Sequence, residues 1–587
     1  MSTLTALARA QAYADGRAQP IATVRHLHVH PRPLVLIPLA MAGEAHAPLA
    51  ALVGAERSAP RLLIVAQPRN RDHRFAFAAE LAGIVLPYVD SFTAATEAVA
   101  VDRGRDVRHR FTDAPQLWVP NTGGVDFLRL FGRSTRFRSI DGEYAVPPSV
   151  PLLGRWLTFF AHAAEMPGSS LLLNAVQALG LHWATGQSGA EDAQLAALLA
   201  WISPPPGRTG AEAARAAEDP ALSPPAGPAT DPAFDNHVLA PLMSTAEPDV
   251  AALTEVLRAQ LLPTWELMWR TLDLLRELPA GARVAGRWDS DRDTYSGFVQ
   301  HLAEGGPPQP RRDGAVAAAA RLHRLESAAT RYAVQRAFDD PLVMAEYRLV
   351  GAAFAGEVTL ANADRIDDTG KRPVLRPRIM VVTGEPVRVE PGATLTSPQR
   401  PSQKALVISV TAAGADRTEV LLELSGGMGR KLVAEPGSVP AVGERVLLTT
   451  LSEAYRPGGA FSRPGPDALD PRRAAAGLHP GVRAGGSVAG RCRRRGGWPP
   501  RAAGCTAPRP ALPGCPAAPA RSARCRRRAA GPAPRPGRRC RAPGSRPAGS
   551  CAGGWRARGA RPGRAAVPAW STTPPPSRRA SAPAGGG

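Results

Sequence analysis

Leu34-Val35-Leu36-Ile37-Pro38-Leu39-Ala40-Met41 is an eight-residue stretch without a charge, and it reads as a short apolar strand. Pro48-Leu-Ala-Ala-Leu-Val53 and Arg61-Leu-Leu-Ile-Val65 repeat the pattern. The intervals Gly43-Glu-Ala-His-Ala and Gly54-Ala-Glu-Arg-Ser-Ala-Pro60 are turn-like, so the three runs form an antiparallel meander. Phe77, Leu81 and Ile84 then fall at helical spacing, which predicts a helix over 74–86 that Pro87 stops. Residues 1–145 are therefore expected to be an α/β domain.

Working outward from this strand, the period changes twice. Residues 146–203 read as a helical segment, with helices within Leu152–Ala163, Ser169–Trp183 and Glu191–Trp201. The Pro/Ala-rich stretch 204–235 reads as a linker. Residues 236–375 are helical again. There Trp265, Met268, Trp269, Leu272 and Leu275 make one apolar stripe, with Pro263 near its start. That spacing is the spacing of a core-facing helix. A long helix over 313–338 follows, then one capped by Asp340-Pro341 that ends near Phe354.

From 376 to 452 the pattern is that of strands. Arg378–Val382, Val387–Val389, Lys404–Val410, Glu419–Leu424 and Arg445–Thr449 are the candidates, and five short strands at this spacing suggest a small β-barrel. The fold class is thus α+β and multidomain: an N-terminal α/β domain, a helical middle and a C-terminal small β-barrel.

The formal charge of +22 misleads about this body. From Pro471 onward there are 25 arginines and no Lys, Asp or Glu, which leaves 47 basic against 50 acidic residues before it, net −3. All six cysteines also lie in that last stretch. The body therefore has no disulfide, cysteine nucleophile or cysteine-ligated metal. Residues 453–587 are expected to be a disordered tail, because Arg, Pro, Ala and Gly cannot bury enough apolar surface to offset chain entropy. These residues share GC-rich codons, which points to a frame slip; the competing reading is an Arg-rich nucleic-acid tail. The opening MSTLTALARAQAYADGRA reads as a short helix, not a secretion signal, and no apolar run is long enough to span a membrane. A cytoplasmic protein with no membrane partner is expected.

Three groups of residues carry candidate chemistry. His26, His28 and His30 alternate, so on a strand their imidazoles share one face; with Asp72, His73 or His46 they could ligate a metal. The competing reading is a polar strand face. Arg69, Arg71 and Arg74 immediately precede a helix, where free N–H groups favour anions. Arg133, Arg136 and Arg138 follow Asn121-Thr-Gly-Gly124 and a short helix over 125–130, and guanidinium forks suit phosphate. The competing reading pairs these arginines with Asp72, Asp126 and Asp141. No phosphate-binding G-x-x-x-x-G-K-[ST] loop exists, no lysine precedes Lys371, and no catalytic motif is recognisable. No cofactor is implied.

Ser402-Gln-Lys-Ala-Leu-Val-Ile-Ser-Val410, a turn at Ala412–Thr418 and Glu419-Val-Leu-Leu-Glu-Leu424, with helices ahead of them, resemble the stalk and small accessory barrel of Upf-type superfamily 1 helicases. The resemblance covers about 313–452. In that family the barrel stands on a helical stalk beside the motor and touches the nucleic-acid strand. Here the motor's phosphate loop, expected downstream, is missing, so under the resemblance the motor was either removed by the frame slip or lies on a separate partner chain. It also implies that Arg376, Arg378, Arg400, Lys404, Arg430 and Lys431 of the barrel meet phosphates of a single strand. The first expectation is a non-catalytic accessory subunit of a nucleic-acid motor. The second is a metal-dependent phosphoesterase-like enzyme on residues 1–145, and the third a structural scaffold without ligand.

Overall fold

The computed structural model describes residues 2–44, 47–101, 105–244, 248–414 and 416–453. The expectations for the tail therefore lie outside the described residues, as does His46.

The three apolar runs form β1 (Leu34–Ala40), β2 (Pro48–Gly54) and β3 (Arg61–Ile64), paired antiparallel as the meander requires. Helix α1 (Thr3–Asp15) precedes them, and α2 (Arg71–Asp90) follows. The hairpin β4 (Thr96–Val101) and β5 (Asp106–Phe111) comes next. Two further strands, β6 (Leu117–Val119) and β7 (Leu172–Asn174), lie parallel to β1 on its other side, giving the order β3-β2-β1-β6-β7.

Every residue of β1 is buried. Because strand side chains alternate, it feeds two cores. Leu34 and Leu36 belong to a cluster with Leu81 and Val85 of α2 and with Phe127 and Leu157 of α3 (Thr122–Thr135) and α4 (Ser149–Ala164). Val35, Ile37 and Leu39 belong to a second cluster. It includes Leu179 of α5 (Ala175–Gly180), Leu198 of α6 (Leu195–Ile202) and Trp265 and Leu272 of the long helix Val250–Glu277. Helix α7 (Gly210–Ala217) and helix α8 (Val250–Glu277) complete that side. Each fully buried Leu or Ile contributes about 1.5–3 kcal/mol, so β1 anchors a three-layer arrangement. The helical middle is thus not apart from the N-terminal sheet; it covers the sheet.

Several expectations are corrected. Pro87 lies inside α2, which runs on to Asp90 because Val85 and Val89 are buried there and one missing donor near a helix end removes little. Pro263 is likewise interior: α8 begins at the Asp249 cap and buries Leu253, Leu257 and Leu261 before reaching it. Residues 169–183 do not make one helix. Leu172–Asn174 pair with β6, and Asn174 caps α5 by accepting from the Gln177 amide. A three-residue apolar run gives a helix and a buried strand the same signature. The stretch 204–235 is no open linker, since α7 packs Ala213, Ala214 and Ala217 inside it.

Helices α9 (Val284–Ala303), α10 (Ala315–Asp339) and α11 (Pro341–Leu349) lead into the barrel, and Asp340 caps α11 as expected. The barrel has six strands: β8 (Ala353–Asn362), β9 (Arg378–Thr383), β10 (Thr394–Ser397), β11 (Arg400–Ala412), β12 (Thr418–Ser425) and β13 (Arg445–Thr449). They close in the order β8-β9-β12-β11-β10-β13. It thus begins at Ala353 rather than at 376. Val387–Val389 is loop, because the Arg388 amide donates to the Gly351 carbonyl instead of joining a ladder. Among the described residues no helix is long and apolar enough to cross a membrane.

Candidate functional site

Arg71 and Arg74 of one N-terminal arginine group and Arg133 and Arg138 of the other, some 60 positions apart in sequence, meet on one surface. Asn70 caps α2 by accepting from the Asp72 and His73 amides, which fixes the first turn and the direction of Arg71 and Arg74. Helix α3 is capped by Asn121 through the Gly124 amide, and its last turn carries Arg133 and Ser134. Two hollows lie where these ends approach. One, of about 400 Å3, is lined by Arg133, Arg138, Arg311 and Phe137. The other, of about 270 Å3, is lined by Arg71, Arg74, Arg138 and Phe75. Ser134 and Arg138 line both, so the hollows adjoin. No carboxylate lines either.

Aromatic rings interleave with the cations. The Arg71 guanidinium stands 4.8 Å from the Phe75 ring centre and 5.7 Å from that of Tyr144. Arg138 is 5.2 Å from Phe75, and Arg311 is 4.9 Å from Phe137. Tyr144 and Phe137 are exposed. The carboxylates expected to neutralise this group mostly do not. Asp72 pairs with Arg71 at 2.8 Å, but Asp126 pairs with Arg129 instead. Asp141, Arg74, Arg133, Arg138 and Arg311 form no ion pair among the described residues.

Arg136 has a different place. It is buried, and donates from Nε to the Gln309 carbonyl and from Nη2 to the Pro310 carbonyl, both at 2.9 Å. Burial lowers its pKa first, and the Arg133 and Arg311 charges lower it further. It is a strut that holds segment 309–310 against α3 and so delivers Arg311 to the surface. The close crossing of α3 and α4 needs a glycine: a Cβ on Gly154 would sit 2.3 Å from the Arg136 amide nitrogen. Sequence reading misses Arg311; its only local signal is the Arg311-Arg312 doublet after a proline-rich turn.

Residues 26–30 are not a strand. They form a largely buried seam in which each ring packs against a different neighbour, while both ring nitrogens of His26 and Nε2 of His28 lack a hydrogen-bond partner among the described residues. His26 stacks on His182 at 5.7 Å and lies 3.4 Å from the Asp340 carboxylate. His28 stacks on Trp288 at 4.1 Å. His30 Nε2 lies 2.8 Å from Asp113, whose other oxygen accepts from the Trp288 indole. His182 is held by the Ala178 carbonyl at Nδ1, and its Nε2 accepts from the His26 amide. Burial pushes both His28 and His182 down to about 4, with neighbouring positive groups adding to this. Beside the seam, Asp291 accepts from the Ser169 hydroxyl and the Ser170 amide, and burial lifts it to about 7. Among the described residues no three His, Cys, Asp or Glu side chains are grouped to hold a metal. The three histidines diverge because the segment is irregular and each ring follows a different neighbour.

The barrel residues are scattered. Arg378 shares Glu423 with Arg365, at 3.0 and 2.8 Å, and Arg400 pairs with Glu444 at 2.8 Å. Arg376 donates to the Leu375 carbonyl. Lys404, Arg430 and Lys431 are exposed and line none of the hollows described here. Arg69 is exposed near Glu44 and faces the opposite side of the first turn of α2 from Arg71.

The Arg–aromatic surface offers cations and flat apolar faces but no group in its lining able to move a proton near neutrality. Cations beside flat apolar rings are chemically suited to an anion. No family model, curated protein or solved structure matches the chain.

Proposed function

We propose that this protein is a non-catalytic nucleic-acid-binding accessory protein that holds a single strand on the Arg71/Arg74/Arg133/Arg138/Arg311 surface. The observation that carries the reading is the convergence, free of lining carboxylates, of two remote arginine groups interleaved with Phe75, Phe137 and Tyr144. A backbone-tracking groove with stacking rings is what sequence-tolerant single-strand binding requires. Association with a separate nucleic-acid motor is the part of the proposal drawn from the helicase resemblance, and the helices α10 and α11 ahead of a closed barrel accord with it.

The test is fluorescence anisotropy with a labelled thymidine 20-mer. It uses the full chain and a chain ending after Glu453, which keeps all the apolar clusters and drops the tail arginines. If the five arginines each meet a phosphate, affinity of the shorter chain falls about a hundredfold between 50 and 200 mM salt. The double variant Arg74→Ala/Arg138→Ala binds at least tenfold more weakly and loses about 1.4 from the salt slope. Unchanged affinity in the double variant, or no binding at low salt, sinks the proposal.

A further inference from the structure

The first turn of α2 is a wall with a hollow on each side. Arg71 and Arg74 line the arginine hollow; Arg69 and Asn70 line a larger cavity of about 530 Å3 on the other side. This cavity lies past the carboxyl ends of β1 and β3, where Met41 and Ala66 leave the sheet, and its other wall is the helical stretch 232–243. The sheet changes direction here. The chain steps from β1 to β2 and β3 on one side, then returns to β6 on the other. In α/β sheets the crevice outside the carboxyl ends at such a reversal is where ligands settle. Over the β1/β6 junction itself that crevice is filled. The Ala40 amide donates to the Pro228 carbonyl and the Asn121 side chain donates to the Gly227 carbonyl. The open part is the cavity over β1, β2 and β3.

Its chemistry is that of a pocket for a flat ring with a polar edge. Buried Leu49 and Leu239 make the floor, and Met41 and Met243 supply adaptable thioether walls. Asn236 places a side-chain amide at the rim, Asn70 offers its Nδ2 while its oxygen caps α2, and the Asp235 carboxylate there accepts from the Thr230 hydroxyl. Side-chain amides pair with the donor–acceptor edge of a base. The volume is in the range of small-ligand sites. A one-turn π-helix, Asp235–Leu239, forms this wall, and such turns recur at functional sites.

We infer that this cavity accepts one unstacked base of the strand whose phosphates lie on Arg71, Arg74 and Arg138. The strand's backbone would cross the first turn of α2, with Arg69 on the cavity side of that turn beside Glu44. The inference rests on the proposed single-strand binding and adds a base-reading site to it.

The experiment compares a labelled deoxyadenosine tetramer with an abasic tetramer of the same phosphate count, both on the chain ending after Glu453. Two variants fill the cavity: Met243→Trp, and Ala240→Trp at an exposed lining position that leaves the packing alone. The expected result is that the intact tetramer binds at least tenfold tighter than the abasic one. Either tryptophan reduces that ratio to below threefold while abasic binding stays unchanged. If both variants keep the wild-type ratio, the base pocket is refuted although phosphate binding stands. If neither tetramer nor the 20-mer binds at low salt, the phosphate surface falls and the pocket with it.

Discussion

The N-terminal arginine surface and the barrel are both basic on paper, yet they use their cations differently. In the barrel, Arg378 and Arg365 share Glu423 and Arg400 meets Glu444, so those charges are consumed inside the fold. On the N-terminal surface Arg74, Arg133, Arg138 and Arg311 gather around two hollows with no lining carboxylate. Like charges repel, and gathering them without counter-charges opposes folding. The surrounding structure meets that opposition through the Arg136 strut and the tight α3/α4 crossing at Gly154. The count of basic residues says little; what separates the two regions is whether the arginines are paired with carboxylates or converge without them.

The largest expected effect comes from reversing charge in each region. Arg138→Glu, which places a carboxylate between the two hollows, should weaken single-strand binding by at least about thirtyfold. Lys404→Glu on the exposed barrel should change it less than threefold. Anisotropy on the chain ending after Glu453 measures both, and equal losses would abolish the distinction between the regions.

A second contrast is in pH. The barrel, 353–453, contains no histidine, whereas the sheet region holds half-buried His28 and buried His182 in the neutral form. Their folded pKa of about 4 lies below the ordinary 6.5. The unfolded chain therefore binds more protons between those values, and their stabilisation is lost as pH falls through that window. Asp291 acts in the opposite sense: its pKa is raised from 3.8 to about 7, so the native state binds the extra proton and stability drops as pH rises across that range. The lowered histidines, His162 among them, act against the single raised aspartate, so stability is expected to rise as pH goes from 4 toward 6.5. Hydrogen exchange, corrected for intrinsic rates, should show sheet-region amides opening more readily at pH 5 than at pH 6.5 and barrel amides, where carboxylates such as Glu385 and Glu444 titrate low, changing much less. His182→Gln should flatten the sheet-region trend. A uniform response across both regions would break the contrast.

The smallest effect should come from releasing the barrel's paired cations. Glu423→Gln frees Arg365 and Arg378, lowers barrel stability by about 1 kcal/mol or less, and raises single-strand affinity less than twofold. A large gain in affinity would show that pairing alone had hidden a second binding surface.

Local pattern carried some elements plainly. The runs at 34–41, 48–53 and 61–65 became β1, β2 and β3, and the stripe from Trp265 to Leu275 is core. Asp340-Pro341 starts a helix as read. What misled were residues whose local signal was overridden by packing. Pro87 and Pro263 lie within helices whose buried faces outweigh a lost donor. Leu172–Asn174 became a strand only because Leu117–Val119 offered a partner. The alternating histidines looked like a strand face, but Trp288, Asp113 and His182 each drew one ring a different way.

Residue type and spacing alone reveal the order of structural classes, the near-neutral body and two arginine groups beside helix ends. These depend on residue type and on spacing over a few positions, which any reader of the chain can see. Only the tertiary structure decided that the two groups face one another, that Arg136 is a strut and Arg311 a member, and that a cavity lies behind the first turn of α2. Those outcomes depend on how α2, α3, α4 and segment 306–311 cross. Crossing is set by the close fit of glycines and buried side chains from distant parts of the chain, which no short window of sequence contains.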